Sequence, residues 1–182
     1  MIERIDDLFS KTNHYHFNNW WQFHAPVQQV WNELMDYRKW PSWCGSLEKV
    51  EPLIHRDRSC NIPDLKQGNL IRTAWKGNLP YTLTFDSTIR DFDPYSFLAF
   101  DVTGDLEGSG ICNFYRLQNR TRINFIWDVA PTKLWIKMSS PFARPVFIEN
   151  HNMIMAELAQ GFEQLIRQKY RINRAVSRKY QD

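Results

Sequence analysis

The sequence predicts an α+β domain in which an antiparallel sheet is covered by one long C-terminal helix. Apolar and polar residues alternate from Tyr81 to Arg90, the two-residue period of a strand with one buried face. Short turns separate this strand from its neighbours, which favours antiparallel pairing. From Pro141 to Tyr170 the apolar residues instead recur at three and four residues, as in an amphipathic helix.

Length and composition favour one globular domain with a wide interior. The chain has 182 residues, about the size of a single domain, and 15% of them are aromatic, including 8 Trp and 12 Phe. The sequence has no apolar run near the length of a membrane span and no apolar segment like that of a secretory signal near residue 1. These features predict a cytoplasmic location.

The spacing of apolar residues and the position of Pro26 predict the N-terminal elements. Residues 1–14 are predicted to form an arm or short helix, and residues 15–23 a strand with apolar residues on one parity. Pro26 fits the first turn of a short helix that ends near Asp36. The aromatic, turn-like segment 37–45 predicts a second short helix or a bend.

The middle of the chain is a run of strands. Gly104, Gly108 and Gly110 are predicted to surround one chain reversal, and Gln118–Thr121 to form a hairpin turn. A final helix of about 25 residues would be about 38 Å long, enough to cross a curved sheet and leave a cavity beneath it. The strands are predicted at residues 47–54, 68–75, 81–89, 96–103, 111–117 and 122–129.

Three stretches resemble the START-like (SRPBCC) superfamily, also called the polyketide cyclase/dehydrase and lipid-transport family, which is Bet v 1-like. They are His24–Trp31, Asp36–Trp43, and Asn150–Met155 with the following Gly161-Phe162, where Phe162 replaces the usual leucine. The resemblance spans residues 15–168. It implies a helix-grip fold: a curved antiparallel sheet wrapped on a long C-terminal helix, with two short helices after strand 1.

The resemblance also implies a tunnel between sheet and helix that holds lipids, sterols, polyketides, quinones or plant hormones in different members. We accordingly expect a START-like domain over residues 15–170, followed by a basic tail at 171–182. Strand parity and the apolar stripe of the final helix select the candidate ligand-binding residues. They are Phe17, Trp21, Phe23, Phe85, Phe100, Asn113, Phe125, Trp127, His151, Met155 and Phe162.

Alternation leaves the orientation of one strand open. Residues 111–117 could turn either Asn113 and Tyr115 or Cys112 and Phe114 towards the cavity. The predicted set contains Asn113.

His151 is the candidate catalytic residue, because it lies on the apolar stripe and imidazole titrates near neutral pH. As a general base it would need a hydrogen-bond partner, for which Asn19, Asn113 or Tyr115 are candidates. The alternative is a buried histidine bonded to a backbone carbonyl.

Other chemistries find little support, so no metal and no cofactor is predicted. His14 and His16 lack a third ligand of suitable spacing. The three cysteines are an odd number without CxxC spacing and are interpreted as free thiols. Three carboxylates, Asp86, Asp101 and Asp128, face outward by parity, which disfavours a paired-carboxylate mechanism.

The basic tail is interpreted as a solvated helix end, since cations suit the C-terminus of a helix. We therefore expect no nucleic-acid partner and no stable membrane insertion, although peripheral membrane contact through the tail stays open.

The function predicted from the sequence is binding or transport of a small hydrophobic ligand that is lipid-, polyketide- or quinone-like. One alternative is an enzyme of the cyclase or dehydratase type acting on a polyketide-like or aromatic substrate. A second alternative is a membrane-docking or protein-interaction subunit.

Overall fold

Strands and one long helix dominate the computed structural model, which describes residues 14–54, 67–133 and 140–179, and the side chains of 14–53, 67–133 and 144–170. A 3₁₀ helix at Tyr37–Ser42 follows the first α-helix, so the predicted second short helix is confirmed. The helices are α1 (Val27–Met35) and α2 (Ser140–Lys179); the strands are β1 (Tyr15–Phe23), β2 (Leu47–Ile54), β3 (Leu70–Trp75), β4 (Leu83–Asp93), β5 (Phe97–Gly104), β6 (Leu106–Leu117) and β7 (Arg120–Pro131).

The described strands form one seven-stranded sheet in the order β1-β7-β6-β5-β4-β3-β2. Every neighbouring pair is antiparallel, as the short turns predict. The predicted hairpin lies between β6 and β7, where Gln118 takes a positive φ of 49°. The strands β2 to β7 follow one another in a meander. The strand β1 pairs with its last strand, β7, and Tyr15 lies opposite Val129.

One predicted turn is corrected. The chain reverses at Gly104 and Asp105 alone, whereas Gly108 and Gly110 lie inside β6, which begins five residues before the predicted start at Ile111. At Gly110 a Cβ would lie 2.3 Å from Phe100 Cζ, and at Gly108 it would lie 2.0 Å from the Asp128 carbonyl oxygen. Gly110 therefore leaves room for the Phe100 ring, and Gly108 leaves room for the backbone of the neighbouring strand. Neither glycine marks a turn.

The helix α1 is held by a contact with the sheet near its N-terminus and by a contact with α2 near its C-terminus. Pro26 caps its N-terminus and lies outside the first turn, in contrast to the prediction. The hydroxyl of Thr121, on β7, donates to the Ala25 carbonyl at 2.8 Å, and Thr121 is fully buried. The carboxylate of Glu33 on α1 accepts a hydrogen bond from Lys169 on α2, which links the two helices.

The helix α2 extends about 60 Å over 40 residues and continues past its predicted end at Tyr170. Its buried face includes Ile154, Met155, Phe162 and Ile166, in agreement with the predicted apolar stripe. The division into 1–14, 15–170 and 171–182 stays a prediction. Residues 1–13 lie outside the described part, and the backbone is helical across the second boundary.

The segment after the 3₁₀ helix is fastened to α2 by two contacts. The backbone N–H of Ser46 donates to Glu157 at 3.1 Å, and the Ser46 hydroxyl donates to the other oxygen of the same carboxylate. One turn further along α2, Gly161 lies so close to Trp43 that a Cβ there would be 1.8 Å from the Trp43 carbonyl oxygen. Glycine at residue 161 thus lets the backbones meet.

Candidate ligand-binding cavity

A cavity of about 220 Å³ lies between the inner face of the sheet and α2. The 3₁₀ helix and the residues beside it contribute Tyr37, Trp40 and Trp43 to its wall. Sequence alone left open whether Trp40 and Trp43 pack inside, and the structure places both in the wall. The described lining is overwhelmingly aromatic and aliphatic, as in most small-molecule sites.

Ten of the eleven residues predicted to bind ligand line this cavity. Their faces agree with strand parity and with the helical stripe, but their contact with a ligand stays a prediction. They are Phe17, Trp21, Phe23, Phe85, Phe100, Phe125, Trp127, His151, Met155 and Phe162.

Asn113 does not line the cavity. Within residues 111–115 of β6 the buried side chains are Cys112 and Phe114, each 6% exposed, while Tyr115 is 45% exposed. Asn113 lies on the outer face opposite Asn124 of β7. The expectation that Asn113 faces the cavity is therefore corrected, and Cys112 takes this place in the wall.

His151 projects from α2 against β1. Its ring stacks on Phe17 with centroids 3.6 Å apart, and its Nε2 lies 3.0 Å from Asn19 Nδ2. Asn19 is thus the partner among the three candidates. Because an amide nitrogen can only donate, Nε2 accepts and the ring proton resides on Nδ1.

Burial lowers the pKa of His151 to about 4, because removal from water penalises the charged imidazolium. The ring is consequently neutral at pH 7. The described lining includes no Asp, Glu, Lys or Arg, so the cavity wall carries no formal charge there.

The carboxylates predicted to face outward do so, and each lies beside a nitrogen-bearing side chain on the outer surface. Asp86 is paired with Arg72 at 2.7 Å and Asp101 with Arg90 at 2.8 Å. Asp128 lies 2.6 Å from His16. These side chains are separated from the cavity by the sheet, and a paired-carboxylate mechanism finds no support.

Many lining residues were absent from the predicted set, and Trp75 and Tyr37 are two of the aromatic ones. Trp75 ends β3 and shares its inner face with Ile71 and Thr73, so the alternation within residues 70–75 could have identified it. The indole N–H groups of Trp43 and Trp75 are buried and have no hydrogen-bond acceptor among the described residues.

The thiols of the described chain are poor nucleophiles. Cys44 and Cys112 are free and buried, and Cys60 lies outside the described residues. Burial raises the pKa of Cys44 to about 11 and also raises that of Cys112, so both remain protonated at neutral pH.

The described residues form neither a metal-binding cluster nor a membrane-spanning helix. Within residues 14–54, 67–133 and 140–179, no three His, Cys, Asp or Glu side chains come together in a way that could hold a metal ion. No helix in this same part of the chain is both long and apolar enough to cross a membrane.

The sequence matches no protein-family model and no curated protein. Solved structures do match. The Zhui aromatase/cyclase from Streptomyces sp. R1128 is 17% identical with a TM-score of 0.69, over 86% of this chain and 96% of that one. A START superfamily protein from Mycobacterium smegmatis is 11% identical with a TM-score of 0.64, over 84% and 97%. Ara h 8.0201 is 10% identical with a TM-score of 0.59, over 84% and 97%.

These similarities establish a class of fold. The curved seven-stranded antiparallel sheet, the short helices after β1 and the long C-terminal helix are the START-like helix-grip arrangement, which Bet v 1-like proteins share. The predicted fold is confirmed. At 10–17% identity the comparison concerns the fold alone, and function must be argued from the cavity.

Proposed function

We propose that this protein binds or carries a small, uncharged, ring-containing molecule in the cavity between the sheet and α2. The observation that carries the proposal is the wall itself, which combines aromatic rings with a volume of about 220 Å³ and no formal charge among its described residues. Burial of apolar ligand surface, at about 25 cal/mol per Å², supplies the driving force.

The volume indicates how much of a ligand the cavity can enclose. A cavity of about 150 Å³ holds benzene, and pockets for drug-sized molecules span about 300–1,000 Å³. At about 220 Å³ the cavity lies between the two, which suits a compact molecule of two fused rings. Phe17, Trp21 and Phe125 supply aromatic rings to the wall, against which another ring can pack.

Native mass spectrometry tests the proposal. The purified protein, measured beside a denatured control, should show a bound small molecule or take up naphthalene or 1-tetralone added in excess. Ala159 lines the cavity and Ala156 is exposed on the same helix. Ala159→Phe should abolish the bound mass and Ala156→Phe should retain it. A wild-type protein that is empty and takes up neither compound contradicts the proposal.

A cyclase or dehydratase activity is the second candidate, favoured by one observation. His151 and Asn19 form a hydrogen-bonded polar pair at the mostly apolar wall, where a bound substrate could be positioned. A conjugate-acid pKa of about 4 makes His151 a weak base in the empty protein. For an enzyme, His151→Ala should keep ligand affinity and abolish turnover. Absence of turnover by the wild type on any ligand that it binds would exclude this candidate.

A further inference from the structure

Aromatic and basic side chains gather on the outer face of the sheet, near the hairpin between β6 and β7. Trp20 on β1 and Tyr115 on β6 are 47% and 45% exposed, and their rings stack with centroids 5.7 Å apart. The guanidinium carbon of Arg122, on the intervening strand β7, lies 4.4 Å from the centroid of the Trp20 ring. Trp, Tyr and Arg dominate the binding energy of many protein–protein contacts, so this cluster has the composition of an interface.

The arginines near this hairpin differ from others on the same face. Arg72 and Arg90, on β3 and β4, each pair with an aspartate of a neighbouring strand, at 2.7 and 2.8 Å. Among the described residues, Arg120 and Arg122 of β7 have no carboxylate partner, although both are exposed. This end of the outer face therefore carries two positive charges that no described acid neutralises.

Acidic side chains lie at the other end of the same strands. Asp128 is six residues from Arg122 along β7, which is about 20 Å in a strand. Its only partner in the described part of the chain is a histidine of β1. Glu107 lies nearby on β6, opposite Ala130, and is exposed. The outer-face residues of β7 between the two charged ends are uncharged, Asn124 and Ile126.

This distribution of charge is complementary to itself. In a dimer with two-fold symmetry, a contact between residue i of one copy and residue j of the other occurs a second time with the copies exchanged. When two outer faces meet with the axis crossing β7 at right angles near Phe125, Arg122 of each copy lies opposite Asp128 of the other. Unlike charges then meet at both ends of the contact.

We propose that the outer face of β1, β7 and β6 binds a second copy of this chain in this two-fold arrangement. An acidic partner of another kind would neutralise Arg122 but would bring like charge against Asp128 and Glu107, whereas a second copy suits both ends. Three strands spaced about 4.8 Å apart and about 33 Å long offer roughly 500 Å² per copy. The total of about 1,000 Å² is at the low end for specific interfaces, so the dimer is a weak one.

Charge exchange tests the proposal, with sedimentation equilibrium of the full chain giving the dimer dissociation constant. Arg122→Glu sets two carboxylates against each other at both contacts, and Asp128→Arg sets two guanidinium groups against each other. Each single variant should weaken the dimer by at least about tenfold. The double variant exchanges the charges and should return to within about threefold of the wild type.

An equimolar mixture of the two single variants adds a test that simple destabilisation cannot imitate. In a mixed dimer Glu replaces Arg122 on one copy and faces Arg in place of Asp128 on the other, while the second contact is unchanged. The mixture should therefore associate more tightly than either variant alone. Lys49→Glu makes the same change of charge on β2, at the opposite edge of the sheet, and should leave the dissociation constant unchanged.

A measurement on the wild type covers the case in which a variant does not fold. In ¹⁵N-labelled protein the indole N–H signal of Trp20, assigned by its loss in Trp20→Phe, should shift as the protein concentration rises. A wild type that stays monomeric at its highest soluble concentration would overturn the inference, as would a dimer that neither charge variant weakens. The cavity lies on the opposite face of the sheet, so either result leaves the proposed function to its own test.

Discussion

Gly161→Ala should have two opposing effects on the stability of the protein, and the structure indicates the size of each. In the interior of α2 alanine is favoured over glycine by about 1 kcal/mol, so helix propensity alone predicts a more stable protein. The new Cβ, however, would lie 1.8 Å from the Trp43 carbonyl oxygen, and real contacts of this kind stay above about 3.0 Å. The two backbones must separate by more than about 1 Å.

The opposing backbone has little freedom to move. The Trp43 N–H is bonded to the Trp40 carbonyl at 3.2 Å, and Ser46 is fixed to Glu157 on α2. Overpacking of this kind costs about 1–3 kcal/mol, and the rigid neighbour places Gly161→Ala at the upper end. After the gain in propensity, we expect the free energy of unfolding to fall by about 2 kcal/mol.

Urea denaturation followed by far-UV circular dichroism measures this change by linear extrapolation. Gln160→Ala, at an exposed neighbouring residue, is the control for helix propensity and should change stability by less than about 0.5 kcal/mol. If Gly161→Ala proves about 1 kcal/mol more stable than the wild type, the close contact with Trp43 does not exist and the argument is refuted.

Two further perturbations test other parts of the fold. Thr121→Val removes the buried hydroxyl that donates to the Ala25 carbonyl. The free energy of unfolding, measured in urea, should fall by about 1–2 kcal/mol. An unchanged urea midpoint would contradict this contact. The pKa of His151 is lowered from 6.5 to about 4, so the unfolded chain takes up a proton that the folded protein excludes as the pH falls through this interval. About 3 kcal/mol of stability present above pH 6.5 should be lost by pH 4. His151→Phe, measured between pH 7 and pH 4, should show a smaller loss, and parallel pH profiles would exclude a depressed pKa.

Most of the fold could be predicted because apolar residues recur clearly at two residues in the strands and at three and four residues in the helices. In β1 and β7 the inner and outer faces differ strongly in polarity, so parity places Phe17, Trp21, Phe125 and Trp127 correctly in the cavity wall. The stripe of α2 is equally clear. Where two faces differ this much, the alternation leaves only one orientation with a buried apolar face.

Where the two faces are similar, sequence could not decide. In β6, Ile111 and Tyr115 share one face with Asn113, while Cys112 and Phe114 share the other, so both orientations bury apolar groups. Gly108 and Gly110 suggested a turn. They are small because Phe100 and Asp128 of neighbouring strands approach them closely, which the local sequence does not show. The unpaired indoles of Trp43 and Trp75 depend on tertiary surroundings and have no sequence signal.

The pairing of β1 with β7 has a consequence for synthesis. Phe23 pairs with Thr121 and Tyr15 with Val129, so the first strand of the sheet has no complete partner until residues 121–129 have left the ribosome. At about 5–20 residues per second, this delay is on the order of 5–20 s. Meanwhile the aromatic face of β1, with Phe17, Trp21 and Phe23, is open to water and to other chains. Slower synthesis of the intervening chain would therefore lengthen the time for which this aromatic face is exposed.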